Sequence, residues 1–414
     1  MLIEFSVQNF RSFRDKQTLS MVAASRLRKR ENVFKPLLDG EDFPALLKVA
    51  VIYGPNASGK SNFLRALDVI LYLVHHKASS STRPMPVSPF CFDEKLTDQP
   101  SIFDVHFIHA GMRYQFEIHL TDQRIVLERL TFFPKGQESL LYNRAYENGA
   151  DQYTFGQFFE TNSVLQDAWK KLTPSRSLFL VQAGINSSDD LKLLRMPLEW
   201  LRDGISTVMQ GAAQYSKYSL GLAEEHHQYA DEIASFLRDV DVPISKINIK
   251  RPAHISGAPT SDDEESTSSV SSRTTLTHST SIGEAELSYA DESDGTKSLI
   301  GFWLPWSTRH PHMGKAFCVL AVDELDSSLH PKIVEALVAK HQNAEIPSQL
   351  IFTTHDTHLM DSKLLRRDQI WITERDAAGA TQLRSIHDFE GRESEDIEKR
   401  YYEGRYRGLP FVRS

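Results

Sequence analysis

Residues 46–61 read LLKVAVIYGPNASGKS. The apolar run 46–53 stops at Gly54, as a strand buried on both faces does. GPNASGKS (54–61) then matches G-x-x-x-x-G-K-[ST] in full. Over 61–76, Phe63, Leu64, Leu67, Ile70, Leu71 and Val74 recur at helical spacing. Strand, glycine-rich turn and helix in that order are the context a phosphate-binding loop needs. The backbone N–H groups of such a loop, and of the helix start behind it, point at phosphate oxygens. Gly54, Pro55, Asn56, Ala57, Ser58, Gly59, Lys60, Ser61 and Asn62 are therefore candidate nucleotide contacts. Gly59 lets the backbone approach closely. Lys60 is placed to reach the β and γ phosphates and the Ser61 hydroxyl to bind Mg²⁺. The competing reading is a glycine-rich turn with no ligand.

Three later segments bear on that choice. In CVLAVDELDSSLHP (318–331) an apolar strand ends in Asp323 and Glu324. An acid at that point holds Mg²⁺, usually through water, and the carboxylate after it can orient or activate an attacking water. TTHD (353–356) puts His355 at the end of another apolar strand, as a candidate γ-phosphate contact. In ESDGTKSL (292–299), Ser293 and Gly295 open a helix, an anion site by its geometry. An ordinary capping turn into a helix over Lys297–Leu304 is compatible with that role.

A phosphate loop, a Ser-x-Gly-Thr signature, an apolar strand ending in Asp-Glu with LDSSLHP behind it, and a late histidine, in this order, resemble an ABC-type ATPase head. QNFRSF (8–13) resembles the first strand of the RecF and SMC repair ATPases, which implies nucleotide contacts for Phe10, Arg11 and Ser12. SDGTKSL, DELDSSLHP, TTHD and the terminal YYEGRYRGLP (401–410) are similar to the AAA-type, RecF-like ATPases of anti-phage and abortive-infection loci, the AbiL and RloA type. The similarity covers essentially the whole chain apart from 256–282. It implies ATP and Mg²⁺ as cofactors and a head-to-head dimer or higher homo-oligomer. Ser293 and Gly295 of one chain would cap the γ phosphate held by Lys60 of the other, and Asp326 would couple the two sites. The chain departs from the pattern in carrying SDGT in place of LSGGQ and in showing no placeable Q-loop over 86–105.

Around these motifs the pattern is mixed. IFDVHFI (102–108), RYQFEIHL (113–120), RIVLERLTFF (124–133) and SLLYNR (139–144) alternate as an antiparallel sheet with one wet face. From 161 to 245 the period is helical, with Ala230, Ile233, Leu237 and Val240 in one stripe, read either as core or as a partner surface. Residues 256–282 are rich in Ser and Thr and read as a mobile linker. QIWITER (369–375) and TQLRSI (381–386) read as closing strands. The expected fold is α/β, an ABC-type P-loop head with an antiparallel β subdomain and an inserted helical region. Its expected parts are 1–160, the helical insertion 161–250, the low-complexity loop 251–284, and 285–414.

The 414 residues carry a net charge of −8, which argues against whole-surface attraction to nucleic acid. RLRKR (26–30) is a local basic cluster, a solvated loop or a phosphate contact, so nucleic acid is left open as a partner. Cys91 and Cys318 sit in apolar stretches and read as buried free thiols. His226–His227 and His310/His312 lack ligand partners at metal spacing. No secretory signal or membrane span is legible, so the expected location is cytoplasmic with no membrane partner. The tail 401–410 docks on the core or contacts a partner. Fewer than 60 residues follow His355, too few for an added nuclease domain. The expectation is an ATP-driven switch of a defence system acting on a separately encoded nuclease or toxin. Its competitors are a RecF-like DNA repair ATPase and an ATP-bound scaffold with negligible turnover.

Overall fold

The computed structural model describes residues 1–75, 85–159, 161–187, 191–209, 211–250, 270, 273–307, 319–344, 348–360, 363–393 and 395–410. The chain divides into two compact units. The first comprises Met1–Thr207, Phe317–Asp323 and His341–Ser414, the second Val208–Ala316 and Glu324–Lys340.

Two large sheets and the short β3–β4 pair lie in the first unit. The N-terminal strands are β1 (Leu2–Gln8), β2 (Gln17–Ser20), the short pair β3 (Val33–Phe34) and β4 (Leu46–Leu47), and β5 (Val49–Tyr53). After helices α1 (Lys60–His75) and α2 (Glu94–Thr97) come β6 (Ser101–His109), β7 (Met112–Leu120), β8 (Ile125–Phe132), β9 (Ser139–Glu147) and β10 (Ala150–Phe155). The antiparallel order β10-β9-β8-β7-β6-β1-β2 forms a seven-stranded sheet. Its strands alternate as the sequence predicts: along β7 Tyr114, Phe116, Ile118 and Leu120 are buried and the residues between them are not. Helices α3 (Ser163–Leu172), α4 (Phe179–Ile185) and α5 (Lys192–Asp203) follow, then β11 (Ile205–Val208).

The second sheet holds the phosphate-loop strand. Its order is β11-β15-β16-β5-β17-β18, with β15 (Val319–Val322), β16 (Gln349–Thr353), β17 (Ile370–Arg375) and β18 (Thr381–Ser385). β15 pairs with β16, β16 with β5 and β5 with β17, all parallel; β18 closes antiparallel on β17. Every residue of β5, β15 and β16 is buried, as parallel strands covered on both faces must be.

The second unit packs α6 (Ser216–Glu225), α7 (His227–Asp239) and α8 (Asp294–Ser307) with a three-stranded sheet of β12 (Ile244–Ile249), β13 (Thr274–Thr280) and β14 (Gly283–Ser288). Helix α9 (Pro331–Gln342) lies mostly in this unit, and α10 (Ile397–Tyr402) in the first. The stripe Ala230, Ile233, Leu237 and Val240 is buried inside the second unit, where the neighbouring Tyr229 ring meets Trp303 at 5.6 Å. It is core, not an open partner surface.

Two expectations change. Much of the low-complexity segment, 251–269 and 271–272, lies outside the described residues, but Thr274–Thr280 is the central strand of that small sheet, with Thr275 opposite Ser288 and Leu276 opposite both Leu287 and Ile247. Threonine's branched Cβ suits a strand, and Leu276 is fully buried. Cys91 is exposed. The chain turns there, so that Phe90 enters the core and the next residues face outward. Cys318 lies outside the described residues. The C-terminal segment docks on its own unit: the Tyr401 hydroxyl donates to the Gly408 carbonyl at 2.8 Å and Tyr406 is buried.

Glu128, fully buried on β8, ties helix α4 to the large sheet. It accepts from the Tyr142 hydroxyl at 2.7 Å and from the backbone N–H groups of Phe179 (2.7 Å) and Leu180 (2.8 Å). Burial pushes its carboxyl up, against the opposing pull of Arg144 and these donors. Glu128→Ala orphans all of them and is expected to cost about 3 kcal/mol in urea unfolding; an unchanged midpoint contradicts the reading. Asp104 behaves oppositely. Burial alone would raise its carboxyl, but His106, Gln115 and Lys16 outweigh burial and hold it at about 2. Because the folded value lies below the unfolded one, its contribution of about 2 kcal/mol is present above pH ~4 and fades as pH falls toward 2. The stability gap between wild type and Asp104→Asn should therefore narrow between pH 5 and pH 3; a constant gap contradicts this.

Candidate nucleotide site

The phosphate loop follows β5 as a tight turn. Gly54 (φ 147°) and Gly59 (φ 107°) lie in the left-handed half of the map, with Ala57 at φ 61° between them. Both glycines are hemmed in. A Cβ at Gly54 would lie 2.3 Å from Thr373 Oγ1, and one at Gly59 would lie 2.1 Å from Thr381 Oγ1. The close approach that Gly59 permits in this structure is thus to a strand of the protein itself. Lys60 opens α1 and is buried, and its Nζ donates to the loop's own carbonyl oxygens, Gly54 at 2.8 Å and Pro55 at 3.2 Å. Ser61 and Asn62 are half-buried in the first turn of that 16-residue helix.

The 10–12 turn meets this helix. Asn62 Nδ2 donates to Ser12 Oγ at 3.0 Å. Phe10 is a core ring, 5.3 Å from Phe103. Arg11, at φ 52°, is exposed and carries its guanidinium 5.6 Å from the Phe10 ring; partial burial, then the charge of Arg65, lowers its pKa from the usual arginine value.

Sheet register brings further groups to the same edge. Val322 pairs with Phe352 and Thr353 with Ile52, so β15, β16 and β5 end abreast. Asp323, buried just past β15, accepts a 2.8 Å bond from Thr353 Oγ1. The Thr354 N–H donates to the Ile52 carbonyl at 3.3 Å, and the exposed His355 comes next. Neighbouring strands are about 4.8 Å apart. Gly54, Asp323 and His355 therefore leave adjacent strands at their C-terminal ends, the edge where open α/β sheets bind ligands. Ser61 and Asp323 offer hard oxygens of the kind Mg²⁺ takes one or two of, alongside phosphate and water. Among the described residues no group of three or more His, Cys, Asp or Glu could hold a metal by itself.

Asp68 was not legible as a site residue. It stands on α1 two turns beyond Ser61; burial pushes its carboxyl up and the charge of Asp323 adds to this, while Thr207 and Arg65 oppose. The signal is that Asp68 is the one acidic residue of the helix that follows the phosphate loop. Thr353, Thr373 and Thr381 carry no such signal in the sequence, because threonine is common in strands.

The remaining candidates lie in the second unit. Glu324 is exposed at φ 51°, and its carbonyl accepts the Ser327 N–H at 2.8 Å. The half-buried Asp326 begins the next turn, accepting from the Leu329 N–H at 3.1 Å. Ser293 caps α8 by accepting from the Thr296 N–H at 3.1 Å. Gly295 abuts the LDSS turn: a Cβ there would lie 2.7 Å from the Ser328 carbonyl oxygen. The structure thus groups Ser293 and Gly295 with the 326–328 turn, and the phosphate loop with Ser12, Asp323 and His355. In the basic cluster Arg26, Arg28 and Arg30 are exposed, while Lys29 Nζ donates to the Leu365 carbonyl at 3.1 Å. His310 and His312 lie outside the described residues.

Comparison of folds finds the SMC head domain from Thermotoga maritima, at 15% identity and TM-score 0.41, covering 93% of this chain and 98% of that one. An SmcHead bound to the C-winged helix domain of ScpA matches at 14% identity and TM-score 0.42, covering 93% and 97%. An Smc head domain with an extended coiled coil, bound to the C-terminal domain of ScpA derived from Pyrococcus furiosus, matches at 12% identity and TM-score 0.42, covering 94% and 97%. At these scores the likeness is loose, and the fold rests on the strand order above. No curated protein matches in sequence. The family comparison matches residues 49–361, a stretch that contains the phosphate loop, the Ser293 cap, the acid pair and His355. The chain therefore belongs to the family described as "AAA domain, putative AbiEii toxin, Type IV TA system".

Proposed function

We propose that the chain is an ATP-binding and ATP-hydrolysing switch serving an anti-phage or abortive-infection system of the AbiL and RloA type, acting on a separately encoded nuclease or toxin. The observation that carries the ATPase reading is the shared edge of β5, β15 and β16, from which Gly54, Asp323 and His355 emerge on neighbouring strands. The defence context is supported by the family description, which speaks of a toxin and a type IV system.

In this reading the N–H groups of 54–61 cradle the phosphates. Lys60, held on the Gly54 and Pro55 carbonyls, has its charge at the loop and exchanges those contacts for phosphate oxygens. Ser61 and Asp323 are the residues that would hold Mg²⁺, whose charge offsets that of the triphosphate. Thr353 keeps one Asp323 oxygen oriented. Glu324 accepts the proton of the attacking water, and His355 contacts the γ phosphate. Arg11, Ser12 and Asn62 flank the nucleoside side of the loop, and Phe10, expected beside them, is a buried core ring that anchors the 10–12 turn instead. Two copies close head to head, Ser293 and Gly295 of each facing the nucleotide of the other, and Asp326 couples the pair. Among the described residues no helix is long and apolar enough to cross a membrane.

Glu324→Gln should keep ATP affinity, lose at least about 100-fold in turnover, and accumulate a dimer by light scattering in MgATP. Lys60→Ala should lose ATP binding. Wild-type turnover in Glu324→Gln would show that the proton acceptor is another group. Mixing the chain with the product of a neighbouring gene should give binding that differs between the ATP and ADP states; identical binding in both removes the switch.

A further inference from the structure

The β17–β18 hairpin touches the phosphate loop at both ends through hydroxyl groups. Thr373 lies at the entry. Its hydroxyl donates to the Tyr53 carbonyl oxygen at 3.0 Å and pairs with Ser58 Oγ at 2.6 Å. Thr381 lies at the exit. Its hydroxyl reaches the Ser58 carbonyl oxygen and Ser12 Oγ, each at 2.8 Å, and its N–H donates to the Ser12 carbonyl at 2.7 Å. Ser12 Oγ also accepts from Asn62 at the start of α1. The loop, the 10–12 turn and the first turn of α1 are thus stitched to one hairpin.

Both threonines are 0% exposed. Valine would fill the same volume in either strand, so a hydroxyl at a fully buried position is explained by the partners it satisfies. The glycine contacts say the same in steric terms, since the two threonine oxygens occupy the space where side chains at 54 and 59 would go. A phosphate loop binds through several N–H groups that must converge at once. If it samples other shapes, apparent affinity falls by the fraction of time it is competent.

We propose that Thr373 and Thr381 are positioning residues of the nucleotide site, which hold the loop from behind in its phosphate-accepting shape. The inference rests on the reading of 54–61 as an ATP loop. It assigns the role to the hydroxyl group and not to side-chain volume.

The test is the Kd of the full chain for a fluorescent ATP analogue with Mg²⁺, with folding checked by circular dichroism and Lys60→Ala as reference. Thr381→Val should weaken binding ~10-fold, the equivalent of one to two lost hydrogen bonds. Thr381→Ser, which keeps the hydroxyl, should stay within about twofold of wild type. Unchanged affinity in Thr381→Val, with binding lost in Lys60→Ala, overturns the proposal and leaves the ATP reading standing. Equal losses in the Ser and Val variants assign the effect to packing and also overturn it. Wild-type binding by Lys60→Ala overturns the ATP reading and the proposal with it. If Thr381→Val does not fold, Thr373→Val against Thr373→Ser carries the same expectations, and unchanged affinity in Thr373→Val overturns the proposal.

Discussion

Parallel pairing of β5, β16 and β15 is the constraint on which the candidate site depends. Three short strands, each buried throughout, lie side by side with their C-terminal ends in register. Both faces of each strand are packed, so a one-residue slip would exchange side chains between two differently packed layers. Once the ends are aligned, the residues just past them share one edge whatever their separation in sequence. A glycine turn, a buried aspartate and an exposed histidine come together in this way, although 301 residues separate the first and last of them: 355 − 54. The buried Thr353–Asp323 bond then holds the carboxylate in one orientation.

Other features of the first unit support this edge from the sides. The β17–β18 hairpin adds hydroxyls beneath the loop, and α1 adds Asn62 toward the 10–12 turn. In the second unit the Ser293 cap and the 326–328 turn are brought together by the missing side chain of Gly295, which lets the Ser328 carbonyl approach. The acid pair straddles the division of the chain, with Asp323 in the first unit and Glu324 in the second.

The sequence was most informative where the physics is local. Alternation in β7 and the full apolar runs of β5 and β16 follow from pleat geometry and burial alone. The glycine-rich loop was legible because strand, turn and helix are contiguous. What required the fold was anything set by a distant partner. Gly59 reads as room for a phosphate, yet its tightest neighbour is Thr381, 322 residues away by 381 − 59. Thr274–Thr280 is lost in a Ser/Thr-rich background until β12 and β14 flank it. β10 is hard to read because it is an edge strand with no fully buried residue, and of its apolar side chains only Tyr153 and Phe155 turn inward, onto Phe179. Cys91 shows the reverse error: apolar neighbours suggest burial, but a turn sends successive residues to opposite sides.

The central claim is that one magnesium triphosphate is bound by groups from these separate segments. A crystal structure of the chain with Mg²⁺ and a non-hydrolysable ATP analogue tests it most directly. The account predicts phosphates in the 54–61 loop with Lys60 released onto them, the metal on Ser61 and Asp323, and His355 within hydrogen-bond reach, about 3 Å, of the terminal phosphate. A nucleotide seated elsewhere, or one in the loop with Asp323 and His355 turned away from metal and phosphate, would contradict it.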